Sequence, residues 1–126
     1  MTQHVPLADT RAVATPAATM RTYAAPSTAP GLPLAVWRTE LPAGSAGPLH
    51  RIDVDHVVVV VQGTLVAEVD GVRSELPAGD GIVLPAGRPR RLAAGPGADV
   101  VTLTSALPGS QAQVGDGDPV AVPWAS

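Results

Sequence analysis

The stretch Pro48–Gly63, PLHRIDVDHVVVVVQG, holds two of the three histidines in a chain of 126 residues. His50 and His56 bracket Asp53 and Asp55 and open onto five consecutive valines, Val57–Val61. Imidazoles titrate near neutrality, so such a pair can hold a metal or move protons. Read blandly, both histidines satisfy local hydrogen bonds beside an apolar strand. A basic cluster, Arg88, Arg90 and Arg91 in GRPRRL, follows the last strong turn signals of the central region. An arginine is always protonated and offers donors only, which suits an anionic oxygen.

These groups need a rigid frame, and the composition says which kind. Fourteen Pro and thirteen Gly punctuate short apolar runs and leave no room for long helices. That pattern predicts an all-β fold, an antiparallel barrel of about nine strands. Strands are expected at Met20–Ala24, Leu34–Glu40, Leu49–Ile52, Val57–Val61, Thr64–Val69, Val72–Leu76, Gly81–Leu84, Arg90–Ala93 and Val100–Thr104. Five β-branched residues in a row predict that Val57–Val61 is buried on both faces, with Val57, Val59 and Val61 covered by a second sheet or by a partner. Asp70-Gly71 marks a two-residue hairpin. The chain divides into an N-terminal arm (1–18), a barrel (19–108) and a C-terminal tail (109–126) that docks on the barrel through PVAVPW.

The bulk properties exclude several partners. A net charge of −3 gives no footprint for nucleic acid. No apolar run reaches the length of a membrane span, and the N-terminus lacks a secretory pattern, so a cytoplasmic location is expected. There is no cysteine, hence no disulfide and no thiolate nucleophile.

The spacing of the glycines carries a resemblance. GSAGPLHRIDVDHVVVVVQG runs Gly44, five residues, His50, and ends on Gly63; GDGIVLPAGRPRRLAA sets Gly79, Pro85 and Gly87 in the same relative places as a second motif. Together they resemble the two conserved motifs of the cupin superfamily over roughly residues 20–107. The resemblance implies a cupin-type barrel of double-stranded β-helix form, related to jelly rolls, and a homodimer. It also implies metal-ligand positions, and here the chain departs. The first ligand position keeps its histidine as His50. The second is Ile52, the glutamate position is His56, and the second-motif histidine position is Arg90. Isoleucine has no donor atom, and a fixed positive charge repels a divalent cation.

The expectation is therefore a metal-independent enzyme of acid–base chemistry, a lyase, isomerase or cyclase. It would carry out dehydration, isomerisation, epimerisation or cyclisation on a small oxygenated, anionic metabolite of a biosynthetic route. His50 and His56 would act as acid and base, one neutral and one charged. Arg90 would bind substrate, with Trp37, Ile52 and Tyr23 as further pocket residues. No cofactor is expected. Two alternatives stand beside this reading: a metal-dependent oxygenase or isomerase using His50 and His56, and a non-catalytic small-molecule binding barrel.

Overall fold

The computed structural model describes residues 2–126. Twelve strands form among them: β1 (Arg11–Ala14), β2 (Thr19–Ala24), β3 (Ala35–Leu41), β4 (Arg51–Ile52), β5 (His56–Gln62), β6 (Thr64–Val69), β7 (Val72–Pro77), β8 (Gly81–Leu84), β9 (Arg90–Ala94), β10 (Val100–Ala106), β11 (Gln111–Gln113) and β12 (Val120–Ala121). Every ladder is antiparallel. A six-stranded sheet runs β1-β2-β3-β10-β5-β8, and two three-stranded sheets run β7-β6-β9 and β12-β11-β4. No helix is long and apolar enough to cross a membrane among the described residues.

Alternation along the strands builds two cores. In the first, Leu41, Val58, Val60 and Val100 from the six-stranded sheet meet Leu65, Ala67, Leu76 and Ala94 from β7-β6-β9. In the second, Met20, Ala35, Trp37 and Ala106 meet Ile52 of β4 and the C-terminal Val122 and Ala125. The six-stranded sheet thus packs against one small sheet at each end of its length.

The turns explain the order. Asp70 and Gly71 have φ of 52° and 78°, the doubly left-handed geometry of a tight hairpin turn, and they join β6 to β7 in register from Val69–Val72 to Thr64–Pro77. Gly63, between β5 and β6, has φ +77°, and a Cβ there would lie 2.3 Å from the carbonyl oxygen of Asp99.

Three expectations are corrected. The strand expected over 49–52 shrinks to Arg51–Ile52, preceded by a single bridge between His50 and Arg90. Three extra strands also form: β1 in an Ala-rich segment, β11 in a polar one, and β12, two residues long, within the proline-flanked PVAVPW. The valine run is not buried on both faces. Val58 and Val60 are about 1% exposed, whereas Val57, Val59 and Val61 are 46%, 41% and 47% exposed. The second face of β5 is the outside of the barrel wall, and no layer among the described residues covers it.

Candidate functional site

Two backbone events place the basic groups together. His50 and Arg90 face each other across the isolated bridge, exchanging N–H···O bonds of 2.9 and 2.8 Å. Directly opposed residues in an antiparallel pair project to the same side. His56 opens β5, and its alternation with Val58 and Val60 turns all three inward. The inward face of β3 adds Trp37, whose ring meets the His56 ring edge-on, with centroids 5.2 Å apart and planes at 79°.

Hydrogen bonding then assigns the protons. Arg90 Nη2 donates to His56 Nδ1 at 2.8 Å. A guanidinium has no lone pair to give, so Nδ1 is the acceptor and the ring proton sits on Nε2. From there it is donated to Ser110 Oγ at 3.1 Å. All three residues are buried. His50 Nδ1 donates to the Pro48 carbonyl at 2.8 Å, because a carbonyl only accepts; the lone pair of the neutral ring is left on Nε2.

The electrostatics follow from burial around one cation. Burial, then the Arg90 charge, then His50 push the His56 imidazole down to about 3. Burial also lowers His50, helped by Arg90 and opposed by the bond to Pro48. Burial brings Arg90 down to about 10, still protonated at neutral pH. The expected split into one neutral and one charged imidazole is therefore corrected. Both rings favour the neutral form at pH 7, chiefly because burial disfavours their charged forms, with the Arg90 charge acting in the same direction.

A cavity of about 810 Å³ opens beside these groups, lined by His50, His56 and Arg90 together with Trp37 and Ile52. Its other walls are largely apolar, with Met20, Leu92 and Trp124 among them. Among the described residues Arg90 is the only Asp, Glu, Lys or Arg in the lining. Two of its nitrogens, Nε and Nη1, are buried without a hydrogen-bond partner among the described residues.

Other residues fall elsewhere. Tyr23 does not line the cavity. The β2–β3 register slips between Thr22 and Ala24, and Thr22 takes the buried position, its hydroxyl donating to the Trp124 carbonyl at 2.6 Å. Arg91 is exposed and lies 4.0 Å from Glu68. Arg38 and Arg21 each reach Glu40 at 3.0 Å on the outer face of β3. Asp53 and Asp55 are exposed staples: their carboxylates accept the backbone N–H groups of Gln111 at 2.8 Å and Ala86 at 2.7 Å.

Ser110 is the site residue that the sequence does not announce. It lies 54 positions from His56 in a Gly- and Gln-rich segment. Its local signal is that of a loop, and only the fold brings it to the imidazole.

A divalent metal does not fit this donor set. His56 has no free lone pair, and a guanidinium nitrogen occupies the approach to its Nδ1. Ile52 offers no donor, which leaves His50 alone. Among the described residues no cluster of three or more His, Cys, Asp or Glu side chains has metal-binding geometry.

Comparison with known proteins gives a consistent picture. Residues 37–107 match the family model described as "Cupin domain". No curated protein matches the chain. Among solved structures, the polyketide cyclase RemF from Streptomyces resistomycificus is 24% identical, with a TM-score of 0.73 over 85% of this chain and 80% of that one. A cupin-2 domain protein from Rhodospirillum rubrum is 15% identical, with a TM-score of 0.78 over 91% and 81%. A sugar phosphate isomerase of the cupin superfamily from Silicibacter pomeroyi is 19% identical, with a TM-score of 0.72 over 92% and 83%.

Proposed function

Since this chain belongs to the cupin family and holds a guanidinium against the imidazole at a family ligand position, we propose that it is an enzyme moving protons without a metal. The observation that carries the proposal is the 2.8 Å bond from Arg90 to His56 Nδ1. It puts the site's one positive charge next to a neutral base and closes His56 to a metal.

The chemistry divides among three residues. His50 Nε2 takes a proton from a carbon next to a carbonyl group. The C–H electron pair moves into the carbonyl, and Arg90 stabilises the oxyanion that results. The imidazolium of His50 then returns the proton. Delivery to a departing hydroxyl completes a dehydration; delivery to carbon completes an isomerisation or epimerisation. If the enolate first attacks a second carbonyl of the same molecule, delivery to the new alkoxide completes a cyclisation. His56, with both ring nitrogens engaged, acts through Arg90 by holding its guanidinium in place.

The substrate in this reading is a small oxygenated metabolite, and a polyketide cyclase and a sugar phosphate isomerase among the structural neighbours are in keeping with enolate chemistry. Solvent deuterium exchange tests it without knowledge of the full reaction. A panel of enolisable ketones and β-diketones is incubated with the protein in D2O and followed by proton NMR. Wild type should catalyse exchange next to the carbonyl, with no loss in a chelator, and His50→Ala should lower the rate about 10²- to 10⁴-fold. Exchange that requires an added divalent metal, or that survives in His50→Ala, overturns the reading. So does recovery of a bound ligand without any exchange, which is the behaviour of a binding barrel.

We also propose that the working unit is a homodimer, with the bare valine face of β5 as its contact.

A further inference from the structure

We infer that the cavity selects one anionic oxygen-bearing group on an otherwise apolar body, the enolate that proton removal creates or a stable carboxylate or phenolate that mimics it, over the neutral form of the same molecule and over a polyanion. The inference rests on the proposed role of Arg90 and gives its partner a charge and a shape.

Arg90 is 4% exposed, and among the described residues no carboxylate lines the cavity beside it. Among the described residues its only side-chain partner is the neutral imidazole of His56, through Nη2. Nε and Nη1 have none. A buried cation left in this state is costly, because donors removed from water want acceptors and charge removed from water wants a counter-charge. One anionic oxygen group supplies both. A second does not fit the accounting, since no further cation in the lining answers it.

The walls set the rest of the ligand. Met20, Trp37, Ile52, Leu92, Val122 and Trp124 present hydrocarbon and indole surface. Their contribution favours burial of an apolar body roughly in proportion to its area. A volume near 810 Å³ lies within the ~300–1,000 Å³ range of pockets that enclose a molecule of several rings. A sugar phosphate, with a dianionic head and a hydroxylated body, is a poor match to such walls. A carboxylate, enolate or phenolate on a ring system is a good one.

Isothermal titration calorimetry with three matched compounds tests the inference without any turnover. The probes are naphthoate, its neutral isostere naphthamide, and naphthalenedicarboxylate. Wild type should bind naphthoate about 10- to 100-fold more tightly than naphthamide, the range expected for a charge-assisted hydrogen bond. The dicarboxylate should bind more weakly than naphthoate. In Arg90→Met the preference for naphthoate over naphthamide should vanish. Equal binding of acid and amide by wild type, tighter binding of the dianion, absence of binding by all three, or a preference that persists in Arg90→Met overturns the inference. The wild-type comparison stands even if the variant fails to fold. Failure here with His50-dependent exchange intact removes the ligand class and leaves the catalytic reading; the reverse outcome leaves a monoanion-binding barrel.

Discussion

His56 is the residue at which charge, packing and hydrogen bonding meet. Its ring is held by a cation on one nitrogen, a hydroxyl on the other, and an indole against its edge. That arrangement works only for a neutral imidazole, and stability should therefore depend on pH. In the folded state His56 resists protonation down to about 3, against an ordinary value of 6.5. Between those values the unfolded chain binds the extra proton, so this contribution is complete above pH 6.5 and is lost as pH falls toward 3. The slope it contributes approaches about 1.4 kcal/mol per pH unit. Glutamine can accept from Arg90 and donate to Ser110 without titrating. Urea unfolding at pH 7, 6 and 5 should show wild type losing stability with acid, and His56→Gln should flatten that loss. An unchanged slope in the variant would show that the acid sensitivity lies elsewhere. Burial raises the Glu40 carboxyl, but the hydrogen bonds and charges of Arg38 and Arg21 outweigh it and hold it below the usual carboxylate range.

At the scale of strands and turns, position is fixed where the backbone has no alternative. Gly63 is such a point. Its positive φ and the 2.3 Å approach of the Asp99 carbonyl to any Cβ exclude a side chain between β5 and β6. Gly63→Ala should cost about 2 kcal/mol or more, read as a lowered urea midpoint. A midpoint within error of wild type would mean that the turn rearranges freely. This glycine also shows why the barrel is legible in the sequence. Gly63 and the pair Asp70-Gly71 mark turns that only certain residues can make, and the alternating runs between them mark strands. His50, Ile52, His56 and Arg90 come out instead through the resemblance to the two cupin motifs, whose register is counted from Gly44, Gly63, Gly79 and Gly87. Local logic fails where the information is distant. Ser110 and the short strands β11 and β12 take their places from contacts with β4 and His56. β1 is a strand because it pairs with β2, although its Ala-rich sequence favours no particular conformation. Tyr23 is displaced by a register slip in β2 that nothing in TMRTYA foretells. Protonation, likewise, is decided by the three-dimensional neighbours of each ring and not by its residue type.

For the molecule as a whole, the feature that one chain does not account for is the outer face of β5. An antiparallel sheet with one face toward water ordinarily places polar residues there. Here Val57, Val59 and Val61 stand at 41–47% exposure, and Val83 on β8, paired with Val57, at 60%. Leu103 of β10, half-buried, is registered with Val59 and extends the patch. Farther along the same sheet Arg21, Glu40 and Arg38 form a linked ion pair network. An apolar centre with charged groups toward its border is the anatomy of a protein interface, and a second copy related by a two-fold axis can bury the same face against itself. Light scattering coupled to gel filtration should then give about twice the 12.7 kDa chain mass. Val57→Thr combined with Val59→Thr keeps the β-branched shape that a strand favours and places hydroxyls in the contact. The double variant should dissociate at roughly 10-fold or higher concentration than wild type, with the strand content seen by circular dichroism preserved. A wild-type monomer, or a dimer indifferent to both substitutions, would remove the valine face as the site of association.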